Sequence, residues 1–196
     1  MGIILATASP YRRETFMFLG LEFEAEESHI DEGFEPRPQN PKELVAVLAQ
    51  MKADAVAGNH KEGVVIGFDS VGFFKGKILE KPGSRQEAFQ RLESLSGNNH
   101  SFYTGIHMIN LSNKRVLSRV VKSDVAMREF SREEINRYLD QDPGFSTYAL
   151  GYDPFGHYSS TFIRRLEGSY NNVLRGIPLE VIVEMLSEIG FDITEQ

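Results

Sequence analysis

A four-residue apolar run, Ile3-Ile4-Leu5-Ala6, gives way to small residues and then to Ser9-Pro10, and this junction constrains the fold more than any other stretch of the chain. The run reads as a short buried strand. Ser9 stands as an N-cap and Pro10 at the first helical position, where its missing N–H is no loss. Arg12 and Arg13 fall within the first helical turn, an end that favours anions and repels cations. Two arginines there point to a more negative group beside them, and a phosphate chain fits. A solvated basic turn is the plainer alternative.

Strand and helix signals keep alternating downstream. Residues 31–40, with Gly33, Pro36 and Pro38, form the most loop-like region. They lead to a marked helix start, with Asn40 as cap, Pro41 first and Glu43 third. Leu44, Val47, Leu48 and Met51 give that helix an apolar face. Residues 64–67 predict a short buried strand that delivers Asp69 at its end, and residues 71–79 predict a hairpin turning at Lys75-Gly76. Ser84 and Glu87 read as a capping box ahead of Phe89, Leu92 and Leu95. Residues 101–110 and 116–127 flank a polar turn and predict a long antiparallel ribbon. Ser131 and Glu134 cap a further helix, 161–166 reads as a strand, and 178–189 as a closing helix. The expected fold is α/β: a mixed, twisted sheet with flanking helices, forming a single domain over residues 1–196 with two lobes.

At 196 residues the chain can bury a real core, and 41% hydrophobic with 25% charged residues is ordinary for a soluble protein. No apolar run approaches the ~18 residues needed to cross a bilayer, and the N-terminus lacks the pattern of a secretion signal. The absence of cysteine rules out disulfides and thiolate metal sites, and is compatible with the cytoplasm. A net charge of −7 argues against general nucleic-acid binding. The expected partners therefore exclude nucleic acid and membrane. A homodimer is compatible with a sequence that does not fix oligomeric state.

Several polar residues stand where chemistry is plausible. A carboxylate at Asp69 can hold Mg²⁺ against phosphate or accept a proton from water; its plainer role is to cap a loop. Asp31 and Glu32 open the loop region, either as partners for Asp69 around a metal or as a solvated acidic turn. Lys52 lies beside the apolar stripe of the Asn40 helix. Lys81 precedes Pro82, which biases its backbone to an extended form. Each lysine alone would be ordinary surface. With Arg12 and Arg13 they make a cage of four positive charges for a di- or triphosphate. The five histidines have no metal-binding spacing, and neither a Gly-x-x-x-x-Gly-Lys loop nor a Gly-x-Ser-x-Gly elbow occurs.

Ser9-Pro10-x-Arg12-Arg13, Gly67-Phe68-Asp69-Ser70, Leu79-Glu80-Lys81-Pro82, and Leu95-Ser96-Gly97 with His100 and Thr104-Gly105 occur in that order. Glu167-Gly168-Ser169-Tyr170 and Gly176-Ile177-Pro178-Leu179 complete the series. Together they resemble the Maf family of nucleoside triphosphate pyrophosphatases over about residues 3–179. The resemblance implies an elongated sheet with a cleft between two lobes, related to the inosine triphosphate pyrophosphatase fold. It implies cleavage of a nucleoside triphosphate between the α and β phosphates with Mg²⁺ or Mn²⁺. By the resemblance Asp69 is the catalytic acid of the family's Gly-x-Asp-Thr, with Ser70 for threonine. Glu32 matches an active-site acid, with Asp31 as second choice, and Lys52 and Lys81 match lysines that contact the triphosphate. His100, Thr104 and Gly105 match positions read as structural. The alternative is a nucleotide-binding regulator of cell division with weak or no hydrolysis.

Three family positions are held to choose the base. Members preferring dTTP and UTP carry arginine after Ser-Pro, and those acting on 7-methyl-GTP carry tryptophan; this chain has Tyr11, an aromatic face that can stack on a base and attract a cationic one, and so leans toward the 7-methyl-GTP branch. The second is Ser70, nearer the threonine of the pyrimidine branch. At the third, Gly156 stands where glutamine or glutamate is expected, with Ala149 near the lysine and Asp153 as a substitute. The three do not agree on a base.

Overall fold

The computed structural model describes residues 2–193. Its strands are β1 (Ile3–Ala6), β2 (Phe23–Glu26), β3 (Val64–Phe74), β4 (Lys77–Leu79), β5 (Asn99–Asn110), β6 (Val116–Met127) and β7 (Ile163–Glu167). The helices are α1 (Pro10–Phe16), α2 (Pro41–Ala57), α3 (Arg85–Leu95), α4 (Arg132–Gln141), α5 (Tyr170–Arg175) and α6 (Leu179–Glu188). The strands form one seven-stranded sheet in the order β2-β1-β3-β5-β6-β7, with β4 paired to β3. β1 runs parallel to both β2 and β3, while β3–β4 and β6–β7 are antiparallel. The sheet is therefore mixed and helix-flanked, as the sequence predicts.

The chain forms two compact units. The first comprises the residues up to Ser70, Thr104–Val121 and the residues from Arg175 on; the second comprises Val71–Tyr103 and Lys122–Leu174. In the first, alternation along β1 and β3 sends residues to both faces of the sheet. Ile3, Leu5, Val64, Ile66 and Phe68 pack with Phe16 of α1 and with Ile182, Met185 and Leu186 of α6. Ile4, Ala6 and Val65 pack with Ala53 and Val56 of α2. Because both faces are covered, these strands read as unbroken apolar runs. The second unit has its own core, where Leu92 and Leu95 of α3 and Tyr138 of α4 meet Tyr152 and Phe162.

The approach of α2 is unusually close at two glycines. A Cβ on Gly67 would lie 2.1 Å from the Ala49 carbonyl oxygen, and one on Gly105 would lie 2.1 Å from that of Val45. Only glycine allows the helix backbone to sit this near β3 and β5. The Asn40 and Ser9 caps form as predicted, each side chain accepting a backbone N–H of its first turn.

Several expectations need correction. β3 does not end at Gly67 but continues to Phe74, so Asp69 and Ser70 lie inside a strand rather than after one. The β-forming Val71, Phe73 and Phe74 extend the ladder beyond Asp69 and Ser70. Ser84 does accept the Glu87 N–H, but the Glu87 carboxylate turns to the Gly83 N–H and Arg91, leaving half of the capping box. The strand expected at 161–166 begins at Ile163, because Thr161 closes a short 3-10 turn. β2 and the short α5 were not anticipated; the alternation of Phe23-Glu24-Ala25-Glu26 is the signal for the first.

In the second unit His100 is 3% exposed, its Nε2 stands 3.4 Å from the Tyr152 hydroxyl, and its Nδ1 has no hydrogen-bond partner among the described residues. Burial pushes its pKa down to about 4, against a smaller opposing pull from Asp124. The folded value lies below the unfolded one, so this contribution to stability is complete above the unfolded pKa and is lost as pH falls towards the folded one. With an unfolded value of ~6.5, the loss between pH 7 and pH 5 is about 2 kcal/mol. Urea unfolding at those two pH values should show a fall in wild type that is about 2 kcal/mol smaller in His100→Phe. Equal falls would show that His100 is not buried as a neutral ring.

Candidate active site

The alternation that builds the first unit's core also sorts the polar residues of β3. Val65, Gly67 and Asp69 share the face covered by α2; Phe68 and Ser70 share the other. Lys52, one position after Met51, is carried by α2 to the first of these faces. Its Nζ donates to Asp69 Oδ1 at 2.7 Å and stands 2.8 Å from Glu32 Oε1. Two carboxylates from distant parts of the chain therefore converge on one ammonium. Asp69 is 6% exposed, and burial raises its pKa; Lys52 and then Arg12 oppose that rise. Glu32 is more than half exposed and adds like charge.

On the other face Arg12 is anchored at three points. Its Nε donates to the Gly176 carbonyl (3.1 Å), Nη1 to the Phe68 carbonyl (3.2 Å) and Nη2 to Ser70 Oγ (2.7 Å). Ser70 Oγ also shares a hydrogen bond with Thr104 Oγ1 at 2.7 Å. Burial pulls the Arg12 pKa down, and the negative charges of Asp69 and Glu32 offset it. The guanidinium therefore ties α1 to β3 and to the segment after α5, while its charge acts on Asp69.

The remaining predicted residues divide. Ser9 Oγ accepts the Arg12 N–H at 3.4 Å and so caps α1. Arg13 is exposed on the same helix. Tyr11 is half-buried, and the Arg175 guanidinium lies over its ring, 5.6 Å from the centroid. Asp31 turns to its own loop, its Oδ1 accepting the Gly33 N–H at 2.9 Å. Among the described residues no group of three or more His, Cys, Asp or Glu side chains is placed to hold a metal ion. The three-carboxylate set is thus not assembled, and the pair Asp69 and Glu32 is. Lys81 is exposed in the second unit, ahead of buried Pro82.

In that unit Asp153 is buried, and its carboxylate accepts the N–H groups of Phe155 (3.0 Å) and Gly156 (3.2 Å). It organises its own turn. Two residues given little weight by the sequence take part: Thr104, bonded to Ser70, and Arg175. No local sequence signal marks Arg175; its neighbour Gly176 takes a φ of +63°, which side chains rarely adopt.

The polar cluster combines buried acid, lysine and arginine on adjoining strand and helix, which suits binding and hydrolysis of an anhydride. A family profile described as Maf-like protein matches residues 2–189. A protein of Syntrophus aciditrophicus (strain SB) named dTTP/UTP pyrophosphatase is 38% identical, over 96% of this chain and 90% of its own length. One of Pseudomonas aeruginosa named 7-methyl-GTP pyrophosphatase is 36% identical, over 97% and 98%. A solved structure titled nucleoside-triphosphatase / dITP/XTP pyrophosphatase, from Mycobacterium abscessus, is 11% identical with a TM-score of 0.43, over 97% of this chain and 98% of that one. So weak a likeness does not bear on function.

Lys52 is the counter-charge that opposes the effect of burial on Asp69. Lys52→Met should lower stability at pH 7 by ~2–4 kcal/mol, as removal of one partner strands the other. The double variant with Asp69→Asn should recover part of that loss in urea unfolding. A single variant as stable as wild type would contradict the pairing.

Proposed function

The chain belongs to the Maf-like family, and we propose that it hydrolyses nucleoside triphosphates to the monophosphate and pyrophosphate with the help of a divalent cation. The observation that carries this reading is the Lys52 ammonium held between the carboxylates of Asp69 and Glu32. A site that gathers two acids around a cation is suited to neutralising and cleaving a polyphosphate. The similarity to relatives named for such activity, at 38% and 36% identity, supports it.

Asp69 accepts the proton of the attacking water. Burial raises its affinity for that proton, and Lys52 opposes the rise. Asp69 and Glu32 are the residues that would hold a divalent ion, and Mg²⁺ or Mn²⁺ there would supply charge neutralisation on the phosphate oxygens. Lys52 is a donor for phosphate in this reading. Arg12 uses three of its five donors within the protein and offers the leaving pyrophosphate its charge. Arg13 adds its charge to the cage in this reading, Ser9 and Ser70 shape its floor, and Tyr11 lies towards the base; the family resemblance gives Lys81 a phosphate contact. Cytoplasm, where nucleoside triphosphates are held, is the compartment the reading assigns; no helix among the described residues is long and apolar enough to cross a membrane.

Pyrophosphate release from a panel of nucleotides tests this directly. Asp69→Asn should lower turnover by ~10²-fold or more while the protein stays folded. Lys81→Ala should weaken nucleotide binding by ~1.5–3 kcal/mol to a similar degree for every base. Wild-type turnover in Asp69→Asn would remove that residue from the chemistry. A Lys81 penalty confined to one base would show that it reads the base and not the phosphates.

A further inference from the structure

The contact between Arg175 and Tyr11 lies outside the hydrolytic cluster, yet it is fixed by the same residues. Arg175 ends α5, and the next carbonyl, that of Gly176, accepts the Arg12 Nε at 3.1 Å. The segment presses on β3 so closely that a Cβ on Gly176 would lie 2.7 Å from Ser70 Oγ and 3.4 Å from Arg12 Nη2. Tyr11 precedes Arg12 in α1, and its carbonyl accepts the Thr15 hydroxyl at 2.9 Å. Both partners of the stack are thus held through Arg12, at the edge of the proposed phosphate site. Both are half-buried.

A guanidinium over an aromatic face occupies the negative lobe of the ring quadrupole. One face of Tyr11 therefore already carries a cation, whose charge also opposes a second cation nearby. A neutral base meets different conditions. Guanine presents O6 and N7 as paired acceptors that match a guanidinium fork, and uracil and thymine present carbonyl oxygens. Methylation at N7 removes one acceptor of guanine and gives the base a positive charge, so it loses the fork and meets like charge.

We propose that Arg175 is a specificity residue of this enzyme, stacked on Tyr11 so that nucleotides with neutral, acceptor-bearing bases are favoured over those with a cationic base such as 7-methylguanine. The inference rests on the hydrolytic reading above and adds the class of base that the site takes. It turns the aromatic residue at position 11 from an attractor of cationic bases into the platform for a fixed cation.

The test measures kcat/KM for GTP, 7-methyl-GTP and UTP by pyrophosphate release in wild type, Arg175→Met and Arg175→Lys. Thermal unfolding confirms that each variant is folded. Wild type should prefer GTP and UTP to 7-methyl-GTP. Arg175→Met should raise the ratio of 7-methyl-GTP to GTP by about tenfold, and Arg175→Lys should raise it by less, because the charge remains while the guanidinium fork is lost. An unchanged ratio in Arg175→Met, or an equal loss for all three nucleotides, would show a merely structural role and overturn the proposal while hydrolysis stands. Absence of pyrophosphate release from every nucleotide in wild type would overturn the hydrolytic reading, and this inference with it.

Discussion

The close seating of α2 on the sheet is the constraint from which the site follows. At Gly67 and Gly105 the helix backbone approaches to where any side chain would collide with a carbonyl oxygen. That approach brings Lys52 within hydrogen-bond reach of Asp69, two residues along β3 from Gly67 and on the same face. A longer separation would leave the lysine reaching for solvent and the carboxylate buried without a counter-charge, at an energetic cost of several kcal/mol. The two glycines matter to the chemistry because they set a distance.

β3 carries two polar residues in succession, and the pleat sends them opposite ways. Asp69 goes to Lys52 and Glu32; Ser70 goes to Arg12 and Thr104. A buried strand tolerates this pair because each polar atom has a partner. The guanidinium of Arg12 couples the two sides electrostatically, since its charge lowers the proton affinity of Asp69 and Asp69 in turn supports the charge. Arg12 also fixes the Gly176 segment, and with it the Arg175 that lies on Tyr11. One arginine in the first turn of a seven-residue helix thereby joins the acid, the strand and the aromatic ring of Tyr11.

Much of this was legible in the sequence where local rules and tertiary packing agree. The Ser9-Pro10 and Asn40-Pro41 caps, the hairpin at Lys75-Gly76 and the long ribbon all formed where their residues predict. Local rules failed where long-range pairing outweighed them. Asp69 and Ser70 are weak strand formers, and Lys52, Arg12 and Thr104, all remote in sequence, supply the partners with which β3 runs on through them. Asp31 and Glu32 are adjacent and equally acidic, so nothing local separates them; the fold turns one to the Gly33 N–H and the other to Lys52. Arg175 escaped notice because its role is defined by what it covers, and Tyr11 lies far away in the chain. The family resemblance offers Asp153 as a substitute for the third base-choosing residue; in the structure its carboxylate accepts the N–H groups of the turn it begins.

The central claim is that this cluster cleaves the bridge between the α and β phosphates, using Asp69 as proton acceptor and the basic residues to hold the departing anion. Phosphorus NMR of a nucleoside triphosphate incubated with the protein and Mg²⁺ follows both products at once. The account predicts nucleoside monophosphate and pyrophosphate in equal amounts from the start of the reaction, and neither product with Asp69→Asn on the same time scale. Nucleoside diphosphate and orthophosphate as first products would place the cleavage at the γ phosphate and contradict it.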